Sequence, residues 1–240
     1  IAYVGHGPTK MTMRTTSLWV MNLDGSNQRE ITPTLDRDPA MFGMGALLWA
    51  PDGSGLYFSP DDRGSKNVVF APVSGGATRA ITSGAHQVTL GNRSTTGTMI
   101  GTVTDVSRPL EVARITLAPK GADVARITDI NADFVADKQL GTVEEVWYSS
   151  TGGTKVQGWI VKPPNYDTSK KYPMLLEIHG GPQGMYGTNF DPMWHAFAGA
   201  GFVVLYTNPR GSTGYGNAFM TAIDKNYPGP DFDDLMAGVD

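Results

Sequence analysis

The sequence predicts a partial β-propeller followed by the first part of an α/β domain, on three observations. Short β-type runs separated by turn clusters fill the first half of the chain. A paired Ile-Thr recurs at 31/32, 81/82 and 127/128, at spacings of 50 and 46 residues, the size of one four-stranded propeller blade. Two continuous apolar runs flanking a helical pattern appear only after residue 170, the order of a crossover unit in a parallel sheet.

Composition bounds the possibilities. At about 150 residues per domain, 240 residues make one large or two smaller domains with room for a buried core. The 30 Gly and 16 Pro exceed the roughly 12 per cent of an average chain, which points to many turns. With 19 Lys and Arg against 23 Asp and Glu, the net charge is −4, so no basic field exists to hold a phosphate backbone, and no nucleic-acid partner is expected. The absence of cysteine excludes disulfides, thiol nucleophiles and Cys-based zinc sites, leaving covalent chemistry to oxygen or nitrogen nucleophiles. No run of about 18 apolar residues suits a membrane helix, and residues 1–20 lack the order of a secretion signal. The expectation is a cytoplasmic protein with no membrane partner. The chain opens within strand-like IAYV and closes within a helical pattern at Asp240, so both ends read as cut.

Residues 17–32 contain two strand-like runs around Asp24-Gly25, a dipeptide suited to a tight hairpin. Residues 67–82 repeat the pattern around Gly75-Gly76, and residues 110–128 do so more loosely. Between the first two units, WAPDGSGLYF (49–58) places a turn at Pro51-Asp52-Gly53 before a buried strand beginning at Leu56-Tyr57-Phe58. It resembles the S-P-D-G strand-turn-strand element of TolB-type and related propeller blades. Three imperfect units do not close a ring, and a β-sandwich with coincidental repeats is the alternative.

The texture changes near residues 131–142, and the expected division is 1–138 and 139–240. Residues 143–164 read as two strands joined at Gly152-Gly153, the second alternating Val156, Gly158 and Ile160 against Gln157, Trp159 and Val161. MLLEI (174–178) suits a strand buried on both faces. Residues 193–201 have helical spacing with a glycine stop, and residues 202–212 hold a second buried strand. The closing stretch is helical at both ends and broken by Pro228-Gly229-Pro230. Asp231 is the expected N-cap of the last helix, with Leu235, Met236 and Val239 as its apolar face.

The most informative segment is EIHGGPQGMYG (177–187), at the end of a buried strand. Successive glycines allow backbone angles closed to other residues, so main-chain N–H groups can turn toward a bound oxygen. That is what an oxyanion hole requires, and an HGGG-type loop supplies one donor in the α/β-hydrolase template; a plain tight turn is the alternative. His179 precedes any nucleophile in the chain, the wrong order for the triad base of that fold. His195 reads as a packed histidine, and His6 and His86 have no metal-ligand spacing, so no metal or cofactor is expected. Glu144-Glu145 opens a strand and reads as a solvated edge.

IHGGPQG, TNPRGSTGYG and DLMAGVD, in that order, make residues 143–240 closely resemble the prolyl oligopeptidase family of serine peptidases, in particular its acylaminoacyl-peptidase and dipeptidyl-peptidase-like branch; the preceding partial propeller matches that family's N-terminal domain. The resemblance implies a propeller capping an α/β-hydrolase domain and limiting access to short peptides. It places the oxyanion loop on His179, Gly180, Gly181 and Pro182, with the Gly181 amide the favoured donor. Arg210, Gly211 and Tyr215 fall on the loop beside the active site, where pairing of Arg210 with an acid and packing of Tyr215 are favoured over substrate contact. Relatives carry a Trp-Gly where this sequence has the start of DKNYPGPDFDDL. No G-x-S-x-G occurs in the 240 residues, so none of the triad is present, and this segment alone is expected to be inactive. The expectation is a peptidase acting through an acyl-enzyme on short peptides, partnered by the C-terminal remainder of the enzyme, possibly as a separate chain, and oligomeric through unpaired sheet edges. The alternatives are a propeller-based scaffold with a degenerate hydrolase remnant, or an esterase on the same fold.

Overall fold

The computed structural model describes residues 1–9, 14–39, 45–118 and 120–240. Strands β1 (Ala2–Gly5), β2 (Ser17–Val20) and β3 (Arg29–Glu30) form a three-stranded antiparallel sheet. Next come β4 (Leu48–Trp49), β5 (Gly55–Phe58), β6 (Asp61–Asp62), β7 (Ser65–Lys66), β8 (Val69–Pro72) and β9 (Arg79–Ala80). Of these, β4, β5, β8 and β9 make an antiparallel sheet in the order β4-β5-β8-β9. The pair β6–β7 instead joins β10 (Gln87–Arg93), β11 (Met99–Asp105), β12 (Arg108–Ala118) and β13 (Gly121–Arg126) in a six-stranded sheet.

Strand β5 is buried throughout because it has a neighbour on each edge and a core on each face. Leu56 and Phe58 pack with Leu18, Ile31 and Ala71, whereas Tyr57 joins Val68, Val88, Met99 and Ile115. The turn before it is held as expected: Gly53 N–H donates to the Ala50 carbonyl (2.9 Å), and the Asp52 carboxylate accepts from Ser54 N–H (3.0 Å).

The Ile-Thr repeat has one physical meaning. The N–H groups of Ile31, Ile81 and Ile127 donate to the carbonyls of Leu18, Val68 and Val112 (2.9, 2.8 and 2.9 Å). The hydroxyls of Thr32, Thr82 and Thr128 then accept from the N–H of those same three residues (2.8, 2.8 and 2.9 Å). A side-chain oxygen thus continues the ladder where backbone pairing ends, and the N–H groups of Leu18, Val68 and Val112 each have an acceptor. The third unit differs: Ile31 and Ile81 are buried but Ile127 is half exposed. There Thr128 donates to the Glu111 carboxylate, which also collects N–H groups of Ile130 and Asn131. These bonds, the Thr128 hydroxyl first, hold the Glu111 carboxyl down at about 2 and anchor the chain entering helix α1 (Ala132–Ala136).

The remaining strands, β14 (Thr142–Ser149), β15 (Lys155–Lys162), β16 (Met174–Glu177) and β17 (Val203–Asn208), form a sheet in the order β14-β15-β17-β16. Helix α2 (Pro192–Gly199) connects β16 to its parallel neighbour β17, as the crossover pattern predicts. Asp191 caps α2 by accepting from Met193 N–H (2.8 Å). Trp194 of α2 stacks on Tyr206 at 3.8 Å between ring centroids, within a core that includes Trp159, Val161, Ala198 and Val204. Helices α3 (Asn217–Met220) and α4 (Pro230–Val239) follow. Among the described residues no helix is long and apolar enough to cross a membrane.

Three local expectations are corrected. Strand β15 does not alternate; Val156 through Trp159 are all buried, because β14 and β17 flank it and α2 packs on it. Strand β16 pairs with β17 among the described residues and is half-buried within them, with Met174 and Ile178 exposed. The α4 N-cap is Gly229, with Pro230 as first helical residue; Asp231 lies in the first turn and accepts from Gly229 N–H (2.7 Å). The buried face of α4 is Asp231, Asp234 and Leu235, while Met236 and Val239 are exposed.

The β-rich region meets the second sheet through a close backbone contact. Thr188 N–H donates to the Gly64 carbonyl (2.8 Å). A Cβ at Gly187 would lie 1.9 Å from that oxygen, and one at Gly64, whose φ is +76°, would lie 2.4 Å from the Trp159 ring. Only glycine fits either position.

Thr82→Val keeps the shape of a buried side chain but leaves the Val68 N–H without an acceptor. Urea unfolding should show a loss of about 1–3 kcal/mol, with most of it recovered in Thr82→Ser; an unchanged midpoint in the valine variant would show that the hydroxyl is not the ladder's closing acceptor.

Candidate active site

The turn 179–182 follows the C-terminal end of β16, and residues 208–216 follow the end of its parallel neighbour β17. Crevices beyond the carboxyl ends of parallel strands are where α/β sheets bind ligands. Gly180 and Gly181 are both exposed, and neither amide donates a hydrogen bond among the described residues. Gly181 has φ +135°, a conformation reserved for glycine, and a Cβ there would lie 2.5 Å from the Gln183 nitrogen. Pro182, joined to Gly181 by a cis peptide bond, lines an apolar cleft of about 250 Å3 with Gln183, Met220, Ile223 and Tyr227.

His179 fixes the start of this turn. Its Nε2 lies 2.9 Å from the Ser212 hydroxyl and its Nδ1 3.0 Å from the Gly180 carbonyl, while its ring packs edge-on against Tyr186. Ser212 is fully buried and donates to the Pro209 carbonyl (2.6 Å); the Gly180 carbonyl and the Ser212 oxygen both call for an imidazole N–H, and a neutral ring with one N–H serves one of them. Burial lowers the affinity of His179 for a second proton. The pair joins two loops; the Ser212 hydroxyl is closed off from substrate.

Asn208, also fully buried, fixes the other end. Its Oδ1 accepts from Tyr186 N–H (2.8 Å), and its Nδ2 donates to the Tyr186 carbonyl (2.8 Å) and to the Tyr215 hydroxyl (2.7 Å). Tyr215 donates onward to Gln157 and packs on Trp147 and Phe219. Burial raises its phenol well above the ordinary tyrosine value, and raises that of Tyr186 to about 12.

Arg210 faces away from the glycine turn. Its guanidinium grips Asp234 (Nη2–Oδ1 2.7 Å, Nε–Oδ2 2.9 Å), its own N–H donates to the same carboxylate (2.7 Å), and Nη2 also reaches Thr151. Asp234 is fully buried, so its charge is matched by these bonds. Gly211 has φ +104°, and a Cβ there would meet Ile223 at 2.4 Å and Pro182 at 3.4 Å, so this glycine lets the two loops approach. The β-rich region holds the same loop from outside: Asp61 accepts from Thr213 Oγ1 (3.0 Å), Arg63 N–H donates to the Gly214 carbonyl (3.1 Å), and Asp36 accepts from Asn217 N–H (2.7 Å).

All seven residues singled out in the sequence thus lie on two adjoining loops: His179, Gly180, Gly181 and Pro182 on one, Arg210, Gly211 and Tyr215 on the other. Sequence reasoning missed Asn208, Ser212, Gln157 and Asp234. The signal for Asp234 was a third acid in DFDDL, on the helix face also bearing Leu235; Asn208 left only its place between a buried strand and Pro209. Among the described residues no three His, Asp or Glu side chains group to hold a metal ion.

Comparison with known proteins gives the chain's likenesses. Residues 188–240 match the model of the prolyl oligopeptidase family. The peptidase YuxL of Bacillus subtilis is 32% identical over 193 residues, covering 80% of this chain and 29% of YuxL. Dipeptidyl-peptidase 5 of Schizosaccharomyces pombe is 38% identical over 120 residues, covering 48% of this chain and 18% of that protein. Among solved structures, the acylaminoacyl peptidase of Pyrococcus horikoshii superimposes with TM-score 0.81 at 22% identity, covering 99% of this chain and 35% of its own. Dipeptidyl peptidase 4 of Porphyromonas gingivalis does so with TM-score 0.73 at 18% identity, covering 99% and 33%. The chain therefore spans less than a third of the length of these relatives and about a third of the solved chains. Over residues 188–240 the chain is thus similar to the prolyl oligopeptidase family, and its fold is that of the solved acylaminoacyl and dipeptidyl peptidases.

Proposed function

We propose that residues 1–138 are part of a β-propeller and residues 139–240 the first part of an α/β-hydrolase domain in a serine peptidase that acts on short peptides, in the manner of acylaminoacyl or dipeptidyl peptidases. The observation that carries this reading is the pair of exposed amides at Gly180 and Gly181, which make no bond among the described residues although the turn is tied down on both sides. Free donors on a fixed turn are what a developing oxyanion needs, since they stabilise it with no reorganisation at the moment of reaction. The family supplies the rest by analogy: a serine attacks the scissile carbonyl, a histidine takes the proton and returns it to the leaving amine, and water releases the acyl group. No G-x-S-x-G lies in these 240 residues, so the reading places the nucleophile, the acid and the triad histidine outside them. A peptide substrate is supported by the acylaminoacyl peptidase solved with Z-Gly-Gly-Phe-chloromethyl ketone, which superimposes with TM-score 0.82.

In the full-length protein, a fluorophosphonate should label one serine, and N-acylaminoacyl or dipeptidyl amides should turn over faster than simple esters of similar size. Absence of labelling would overturn the hydrolase reading, and preference for the esters would overturn the peptidase assignment. Gly181→Ala, which cannot keep the turn, should lower kcat by about 100- to 1,000-fold while circular dichroism and melting temperature of the remainder stay close to wild type; unchanged turnover would remove Gly181 from the oxyanion hole.

His179 binds its second proton less readily in the folded chain than when unfolded. Its contribution to stability is therefore present above the unfolded value of about 6.5 and is lost as pH falls through and below it. The urea midpoint should drop between pH 7.5 and 5.5 by more in wild type than in His179→Gln, the difference isolating this residue from other titrating groups. Equal drops would place the histidine outside the pH response.

A further inference from the structure

We propose that Glu145, on the surface strand β14, is a remote positioning residue for the Gly180–Gly181 turn, acting through an ordered chain of three side chains. Its Oε1 accepts from Trp147 Nε1 (2.7 Å) and from Gln157 Nε2 (2.8 Å). A carboxylate only accepts, so Gln157 must turn its amide nitrogen to Glu145 and its Oε1 inward. That oxygen takes the Tyr215 proton. The Tyr215 oxygen is then left to accept from Asn208 Nδ2 (2.7 Å), and the Asn208 amide has Oδ1 toward Tyr186 N–H and Nδ2 toward the Tyr186 carbonyl (2.8 Å each). One anion at the surface thus sets the direction of Gln157 and Tyr215 and leaves the Tyr215 oxygen as a further acceptor for the Asn208 amide that holds the main chain closing the loop 179–186.

The Asn208 amide is oriented by the Tyr186 main chain, one fixed donor and one fixed acceptor, whereas Gln157 takes its orientation from Glu145 and passes it to the Tyr215 hydroxyl. Gln157 and Asn208 are buried, at 2% and 0% exposure, so water cannot compensate a reversed amide, and an asparagine or glutamine presents nearly the same shape either way round. If Asn208 reversed, its NH2 would face the Tyr186 N–H, donor against donor, and the turn would lose its second tie. Glu144, the neighbour of Glu145, is unconnected to this chain and pairs with Lys162 at 2.7 Å.

This inference rests on the oxyanion reading of the turn, and its test separates the two. In the full-length protein, Glu145→Ala should raise the amide exchange rate of the 183–187 segment by about tenfold and lower kcat by about tenfold with KM within about twofold. Glu145→Gln, which can still present an acceptor oxygen, should restore most of both. Tyr215→Phe, which keeps the ring packing but breaks the chain, should reproduce the alanine variant, and adding Glu145→Ala to it should cost little more. A wild-type enzyme without acyl-transfer activity overturns the proposed function. An active wild type in which Glu145→Ala leaves exchange or kcat unchanged, changes KM instead, or adds its full effect to Tyr215→Phe overturns this inference alone.

Discussion

The reciprocal pair between the Asn208 side chain and the Tyr186 main chain fixes how far apart the chain ends lie beyond two adjacent parallel strands. The glycine turn after β16 and the loop after β17 would otherwise be independent segments, each free to find its own bonds. With Tyr186 held by Asn208 at one end and His179 by Ser212 at the other, the segment between them has little freedom to fold its amides inward. The cost of leaving donors unpaired is borne by a frame of buried, fully bonded polar groups. That is the usual relation between a preorganised site and the shell that supports it.

The same frame explains why so many charged and polar groups lie in the interior here. Asp234 is completely buried because its partner comes from the loop itself: Arg210 contributes both guanidinium and backbone N–H, so one carboxylate pins α4 and the 208–216 loop together. Asp61, at 4% exposure, pairs with Lys66 at 2.9 Å while accepting from Thr213. The β-rich region is thereby bonded to the loop at the centre of the candidate site rather than merely resting on the second sheet. Gly64 and Gly187, which admit no side chain, set how closely the two parts approach.

Legibility in the sequence followed the range of the interaction. The Ile-Thr repeat, the Asp-Gly and Gly-Gly turns and the strand-helix-strand order depend on residues close along the chain, and each could be read from spacing. The structure adds why the Thr is there: its hydroxyl closes a ladder on a residue 14 to 16 positions earlier. The readings that failed were those requiring knowledge of neighbours. Strand β15 looks half-buried and is buried without a break from Val156 to Trp159, because β14 and β17 flank it. Glu145 reads as a solvated edge residue, and by exposure it is one, yet it carries two hydrogen bonds whose partners lead inward.

By itself the sequence determined that this chain has no thiol chemistry and no basic surface, that a blade-length β repeat precedes a parallel strand-helix-strand unit, and that a glycine pair sits where a strand ends. Those properties are set by residue type and by bonds between near neighbours. Only the tertiary structure decided that Gly180 and Gly181 keep their amides free, that Arg210 turns to Asp234, and that Asn208 is the tie between two loops. Each of those outcomes depends on side chains brought together from 22 to 24 or more positions apart, and pairing of that kind leaves no periodic trace along the chain.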